Sequence, residues 1–436
     1  MTYNMKKLNP WNNIPKSNNS TLLKIDKNLK IEFDSNTTFL ARGEGRSYGD
    51  VCLNNNGTLI DTNNLKKILY FDELKGVVEC EAGITIKELL EYLIPKGWFL
   101  PVVPGTSYVT LGGAIANDIH GKNHHKSGSF GNFVESLNLL SSEDKVYLCS
   151  PDKNQEKFSA TIGGLGLTGL ILSAKIQLIK IENDLIDSKS IKFNSLDEFF
   201  ELNEQLENNN EYTVSWIDIN LKTKNLRGIF HVGNHSKNIK NYKFKNKKIF
   251  SFTLPLVQRF SLVNNITINL LNNFYFWANK NDAVKKQYYR SFFFPLDFIK
   301  NWNKAYGKKG FYQYQFVVPD ENSKTVLYEV IDLVSYYKQR PVLSVLKTFG
   351  KIESKGLMSF PLSGLTLAMD FQNKGSKTLE MLNELDKIVR KNNGRIYIAK
   401  DCRMGKDSFK SFYSNFVEFS KFIDPNFSST FLKRVS

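Results

Sequence analysis

Apolar and polar positions alternate in short runs over roughly the first 180 residues, and glycine-rich loops separate the runs. Leu59-Ile60 and Val77 to Ala82 read as strands, the latter alternating Val78, Cys80 and Ala82. Thr85 to Leu93 reads as a helix that opens on a capping box, Thr85 with Glu88, and stops before Gly97. Ile171 to Ile181 alternates again. A second capping box, Ser195 with Glu198, begins a helix rich in Phe and Leu, and residues 213–232 alternate like sheet. From 310 onward the pattern predicts strands Phe311–Val318, Leu343–Phe349, Leu365–Phe371 and Arg395–Lys400, with helices over about 323–338 and 376–391. A last helix, 406–423, is predicted from Phe409, Phe412, Phe416 and Phe419 at helical spacing, a core stripe.

Composition narrows the picture. With 436 residues, 41% hydrophobic, the chain has material for a sizeable core and for more than one domain. Its charge of +16 favours anionic partners: nucleic acid, acidic lipid or phosphorylated substrates. An AT-biased usage of Asn, Lys, Ile and Phe accounts for part of that charge. No nucleic-acid motif accompanies it, so no nucleic-acid partner is expected. Cys52, Cys80, Cys149 and Cys402 form no CxxC pair, a reduced, intracellular pattern. The opening MTYNMKKLNPWNN lacks the apolar run of a secretory signal, and no stretch reaches the roughly 20 apolar residues of a spanning helix. A cytoplasmic location is expected, with peripheral contact at the inner membrane face as an option.

Two glycine loops carry most of the chemistry, ARGEGRSYGD (41–50) and PGTSYVTLGGAIANDIHGKNHHKSGSFGN (104–132). Glycine lets backbone approach a ligand closely, and successive N–H groups in such turns cradle anions, so two loops on one domain suit a diphosphate. There is no Walker loop. Gly164-Leu-Gly166-Leu-Thr-Gly169 matches GxGxxG, yet an alternating strand follows where a dinucleotide loop must open a helix, so a Rossmann site is rejected. His120, His124 and His125 cluster, but no Cys or carboxylate stands near and Lys122 and Lys126 repel a cation; no metal is expected.

The segments GEGRSYGD, PVVPGTSYVTLGGAIANDIHGKNHHKSGSFGN and ATIGGLGLTGLI resemble the FAD-binding domain of the vanillyl-alcohol-oxidase (PCMH) type. Together with YQYQFVVP, LKTFG, LTLAMDF and GRIYIAKDCR they are most similar to the decaprenylphosphoryl-β-D-ribose 2-oxidase family, weakest over 183–305. The resemblance implies an α+β fold: a PCMH-type FAD-binding domain over 1–183, a substrate domain over 184–394 with an antiparallel sheet flanked by helices, and a segment 395–436 that returns to the FAD domain. It places FAD contacts on Arg42, Gly43, Gly45, Arg46, Ser47, Tyr48, Gly49, Gly105, Thr110, Leu111, Gly112, Gly113, the run Asn117 to His120, Ile171 and Tyr397. Relatives with covalent flavin use a His in the first loop; none stands there, so dissociable FAD is expected. A flavin that oxidises an alcohol takes a hydride from the carbinol carbon, and the protein orients that carbon and stabilises developing charge.

Lys400, in the strand beside Tyr397, is expected to face the flavin or the substrate hydroxyl. Alternate strand residues share a face, so Gln313 with Gln315, Val345 with Lys347 and Phe349, and Thr366 with Ala368 form a pocket wall. Tyr48, His120 and Lys122 are expected opposite, with His120 a candidate proton acceptor. Lys400, His120, Gln315 and Tyr48 are thus the catalytic candidates; Lys122, Gln313, Gln315, Lys347, Phe349, Thr366 and Lys400 the substrate contacts. Thr366 and Ala368 stand where the best-known members carry Asn and Cys. The implied reaction oxidises the C2 hydroxyl of a polyprenyl-phosphate ribofuranose, with a short-chain NAD(P)H-dependent reductase completing an epimerisation. The alternative is a soluble alditol or aldonolactone oxidase. Residues 237–277 join six lysines (Lys237 to Lys248) to an aromatic stretch, and peripheral membrane contact is expected there through Phe250, Phe252, Phe260, Phe274, Phe276 and Trp277.

Overall fold

The computed structural model describes residues 3–5, 8–17, 19–25, 31–237, 239, 242, 244, 251–254 and 261–436. Strands up to Lys180 build two main sheets. In the first, Thr21–Lys24 and Phe39–Arg42 both run parallel to Thr58–Asp61, and Tyr3–Met5 adds an antiparallel edge. The second has five antiparallel strands in the order Ile68–Asp72, Val77–Glu81, Leu170–Gln177, Val134–Leu140, Val146–Cys149. The predicted capping box holds: Thr85 Oγ1 accepts from the Glu88 N–H at 3.1 Å, and Glu88 accepts from the Thr85 N–H at 2.9 Å. This starts helix Ile86–Leu93, which buries Ile86, Leu89, Leu90 and Leu93 in the core of the same domain.

Eight of the strands between Leu185 and Ile396 form one antiparallel sheet, while Phe252–Thr253 and Ile299–Lys300 pair separately and in parallel. Its order is Ala283–Tyr288, Leu185–Phe193, Asn225–His235, Tyr212–Asn220, Ser344–Phe349, Gly364–Gln372, Phe311–Val318, Arg395–Ile396. One face carries Tyr314, Phe316, Leu346, Leu367 and Met369, packed with Val326, Val330, Leu382 and Leu385 of helices Asp320–Tyr336 and Ser376–Lys391. That burial fixes register, because a one-residue slip would turn every side chain to the other face. The opposite face then has a determined content. Val317, Thr366 and Lys347 lie in one cross-strand row; Gln315, Ala368, Val345 and Trp216 in the next; Gln313 pairs with Asp370 beyond.

Two predicted elements differ. The strand read as Arg395–Lys400 ends at Ile396, and Ile398–Lys400 form a 3-10 turn. Tertiary hydrogen bonds redirect the chain there: Tyr397 N–H donates to Gln315 O at 2.9 Å, and Tyr48 N–H donates to Ala399 O at 2.9 Å. The helix read as 406–423 is two, Lys406–Phe412 and Phe416–Ser420, broken where the Tyr413 hydroxyl donates to Ile396 O at 2.7 Å. Phe409, Phe412 and Phe419 remain buried. The chain then rejoins the first sheet, where Phe427 bridges Phe39.

Candidate active site

The two glycine loops face each other across an open cleft between the first two sheets. Its lining takes Arg42, Gly43, Gly45, Arg46 and Ser47 from the first loop and Thr110, Gly112, Gly113 and Asn117 from the second, with Ile171 from the strand behind them. The loops approach so closely that a Cβ on Gly43 would lie 2.3 Å from Thr110 Oγ1. Leu165, Gly166 and Gly169 also line the cleft. The GxGxxG segment therefore does meet the cleft, though it opens strand Leu170–Gln177 and not a helix. Two buried polar atoms in the lining, Asn117 Oδ1 and Arg46 Nε, have no protein partner, as a site awaiting a polar ligand requires. Arg46 lies 4.2 Å over the Trp11 ring. Arg42 instead donates to Cys52 O at 2.7 Å and Asn9 O at 3.1 Å, bracing the loop. A glycine cradle with unpartnered polar atoms fits a dinucleotide such as FAD. Among the described lining residues there is no histidine, and burial raises the pKa of the lining thiol, Cys52.

A cluster of buried and half-buried side chains from the second glycine loop, the eight-stranded sheet and the turn at Lys400 adjoins this cleft. The link is direct, since the Tyr397 hydroxyl donates to Asn117 O at 2.9 Å and Tyr48 follows Ser47 in the chain. At its centre His120 is held from both sides: Lys347 Nζ lies 3.0 Å from Nδ1 and Gln315 Nε2 lies 2.9 Å from Nε2. Lys347 also donates to Gly121 O at 3.1 Å, and Gln315 to Thr366 Oγ1 at 3.2 Å. Phe349 packs edge-on to His120 at 4.8 Å. On the other side, Lys400 Nζ sits 3.8 Å over the Tyr48 ring, and Gln313 donates to Asp370 Oδ1 at 2.5 Å.

The electrostatics of this cluster are unusual. Burial lowers Lys347 to about 7, helped by Lys122 and Lys400. Burial lowers Lys122 to about 7 and Lys400 to about 8, the latter against the pull of Asp370. Asp370 itself is raised to about 7 by burial, against its Gln313 hydrogen bond and Lys400. His120 is held well below its ordinary value by burial and by Lys347, so it is neutral near pH 7. A neutral imidazole has one N–H. When Lys347 is an ammonium it donates to Nδ1, and the Gln315 amide, which here turns its nitrogen to Nε2, must flip to offer Nε2–H its oxygen. When Lys347 is neutral the chain reverses, with Nδ1–H donating to Nζ and the Gln315 amide to Nε2.

Of the residues singled out from sequence, His120, Gln315, Lys347, Thr366 and Phe349 come together as one cluster, and Tyr48, Lys400 and Gln313 as its neighbour. Lys122 points its amine to Phe292 O and over the Phe292 ring, within electrostatic range of Lys347. Gly105 is exposed, and Leu111 is fully buried in the core beneath the cleft; neither lines it. Gly49 meets the C-terminal segment, since a Cβ there would lie 2.0 Å from Asp401 O. Asp118 is spent within its own loop and on Ser359, accepting from Ser129 Oγ at 2.7 Å and Gly131 N–H at 2.8 Å. Lys400 stands on a 3-10 turn and not on a strand. His124 packs on Phe349 at 4.3 Å, while His125 Nε2 lies 3.0 Å from Asn210 O, so the three histidines diverge. Sequence reasoning missed Asp370, although the alternation that pairs Thr366 with Ala368 puts it next on the same face.

The fold and the paired sites are those of a flavoprotein oxidoreductase. Residues 27–150 match the FAD binding domain family. The chain is 34% identical over 412 residues to decaprenylphosphoryl-β-D-ribose oxidase of Mycolicibacterium smegmatis, covering 91% of this chain and 88% of that one. It therefore belongs to the decaprenylphosphoryl-β-D-ribose oxidase family, and it is an FAD-dependent oxidoreductase. Two more distant likenesses cover a smaller part of the chain. D-arabinono-1,4-lactone oxidase of Kluyveromyces lactis is 26% identical over 172 residues, 38% of this chain and 32% of its own length. Human Delta(24)-sterol reductase is 30% identical over 116 residues, 27% of this chain and 22% of its own.

Proposed function

We propose that this protein oxidises the C2 hydroxyl of a ribofuranose linked through phosphate to a polyprenyl chain, giving the 2-keto sugar. The observation that carries the reading is the cluster beside the cofactor cleft, where Lys122, Lys347 and Lys400 converge with a single buried carboxylate, Asp370, acting on one of them. An anionic ligand held at Lys122 and Lys347 restores the protonation of those two amines, which favours its binding. The relative named above supplies the sugar and the lipid.

FAD, held without a covalent bond, supplies the two-electron oxidation. Gln313 and Gln315 orient the ribose hydroxyls, and Thr366 fixes Gln315 by accepting from its amide at 3.2 Å. Lys122 and Lys347 meet the phosphodiester. His120 sets the direction of the Lys347 amine. Lys400, stacked on Tyr48, accepts the proton of the carbinol: a neutral amine with a pKa near the working pH is an effective general base. The 2-keto product calls for a separate nicotinamide-dependent short-chain reductase if the ribose is to become arabinose.

Anaerobic bleaching of the yellow holoenzyme tests this. A short-chain polyprenyl phosphoribose should bleach the flavin, at a rate that rises with pH and levels above about 8 as Lys400 loses its proton. Lys400→Ala should retain FAD and lose about 10²-fold or more in that rate, the usual contribution of general-base catalysis. Bleaching by free arabinono-1,4-lactone but not by the phosphoribose would replace the reading with the aldonolactone one. A flat pH profile would remove the base assigned to Lys400.

A further inference from the structure

Helix Asn265–Ala278 buries Ile268, Asn272 and Phe276 and leaves a longer apolar stripe exposed. It contains no Asp, Glu, Lys or Arg. Its inward contacts include polar bolts: Asn272 Nδ2 donates to Asp218 Oδ1 at 2.8 Å, and Arg227 donates to Asn273 Oδ1 at 2.5 Å. Arg340 joins them, donating to Asp218 at 2.6 Å and to Asn269 at 3.1 Å. Outward it presents Ile266 (73% exposed), Leu270 (64%), Phe274 (74%) and Trp277 (72%), one stripe along the axis, with Leu271 beside it. An exposed, uncharged stripe of Ile, Leu, Phe and Trp of this length marks an interaction face.

What surrounds it follows from position and charge. Phe276 packs with Trp216, Ile229 and Leu343. Trp216 stands in the same cross-strand row as Val345, Ala368 and Gln315, so the helix lies on the pocket-bearing face of the sheet, next to the substrate residues. The border is cationic. Lys192 Nζ lies 4.7 Å from the Phe276 ring and 5.3 Å from that of Trp277, and Lys280 and Lys285 are exposed beyond the helix end. The nearby acids are already paired, Asp282 with Lys189 at 2.7 Å and Asp187 with Lys286 at 2.8 Å. An uncharged apolar stripe ending in Trp, edged by lysines, matches a helix lying in the interface of an anionic bilayer. Among the described residues, no helix is long and apolar enough to cross a membrane.

We propose that the outward face of helix Asn265–Ala278 docks the enzyme onto an anionic lipid surface and sets the substrate pocket beside it. This rests on the lipid-linked substrate read above, yet its test is separate. The earlier expectation of six interfacial aromatics changes accordingly. Phe274 and Trp277 belong to the face and Phe276 is buried at 6% exposure. Phe252 is half exposed on strand Phe252–Thr253, and Phe250, Phe260 and most of the 237–248 lysines lie outside the described residues.

Holoenzyme should float with phosphatidylglycerol–phosphatidylethanolamine vesicles, more weakly with phosphatidylcholine alone, and Trp277 should be quenched by brominated acyl chains. The triple variant Leu270→Gln, Phe274→Gln, Trp277→Gln should bind these vesicles at least about tenfold more weakly, since each apolar side chain withdrawn from water is worth about that factor. Its FAD content and its bleaching by a short-chain, soluble phosphoribose should be unchanged. Wild-type protein that stays in the aqueous phase with both vesicle types overturns the proposal. So does a triple variant that floats as well as wild type, or wild-type protein whose stripe is buried in a dimer that the variant splits. Failure of the phosphoribose to bleach the flavin would strike the substrate reading and leave vesicle binding to stand or fall alone.

Discussion

At the scale of single residues, the pocket depends on amines that burial keeps from being fully charged. Lys122 shows it most simply, because burial is the one cause acting on it. Its native pKa of about 7 lies below the ordinary 10.5, so between those values the unfolded chain holds more protons than the native one. Stability therefore rises with pH across that window, and the cost of the buried charge is fully present below about 7. Lys122→Met removes this dependence. Its melting temperature relative to wild type should be most favourable near pH 6 and should fall steadily towards pH 10; a difference that does not vary with pH would contradict the assignment. The pocket's polar faces were legible in sequence because strand alternation sorts them, and Asp370 was there for the same rule to find. The proton-sharing chain through His120 was not legible, since it joins residues 195 and 227 positions apart.

At the scale of elements, the cofactor cleft is a contact between two loops. Gly43 is the tightest point of it, with Thr110 in the space that a side chain would take. Gly43→Ala should force the loops apart at an overpacking cost of about 1–3 kcal/mol, or roughly five- to 150-fold in FAD affinity. Equilibrium dialysis of FAD against the variant measures it, and affinity within twofold of wild type would show that the loops separate freely. The glycine loops were readable because long glycine-rich connections are rarely mere linkers. The C-terminal elements were read less well. The alternation in RIYIAK carries on past the last sheet hydrogen bonds, and only contacts with Gln315 and Tyr48, far away in sequence, bend Ile398–Lys400 into a turn. Likewise the Phe stripe after 406 keeps helical spacing through a break that Tyr413 makes by reaching Ile396.

At the scale of the whole molecule, the chain closes on itself around the first glycine loop. Asp50, the last residue of that loop, and Asp401, just past Lys400, both accept from Arg434, at 2.8 and 3.0 Å, with 2% and 3% of their side chains exposed. One guanidinium thus joins the cofactor loop to the segment that carries Lys400. Arg434→Met leaves two buried carboxylates without their partner, a loss of about 3–5 kcal/mol for a pair of this kind. Denaturant unfolding should register that loss, and the purified variant should retain less FAD. Wild-type stability with full flavin content would mean that the remaining contacts of the C-terminal segment suffice.

The depressed lysines have a consequence for reactivity. An amine is nucleophilic only without its extra proton, and at pH 7.5 an ordinary surface lysine is almost wholly charged. Lys122, Lys347 and Lys400 are free base in substantial part at that pH. The sugar pocket is thus the place on this lysine-rich protein where a mild acylating agent or an aldehyde bearing a phosphate would react first, with lysine standing in the role that a thiol plays in other binding sites.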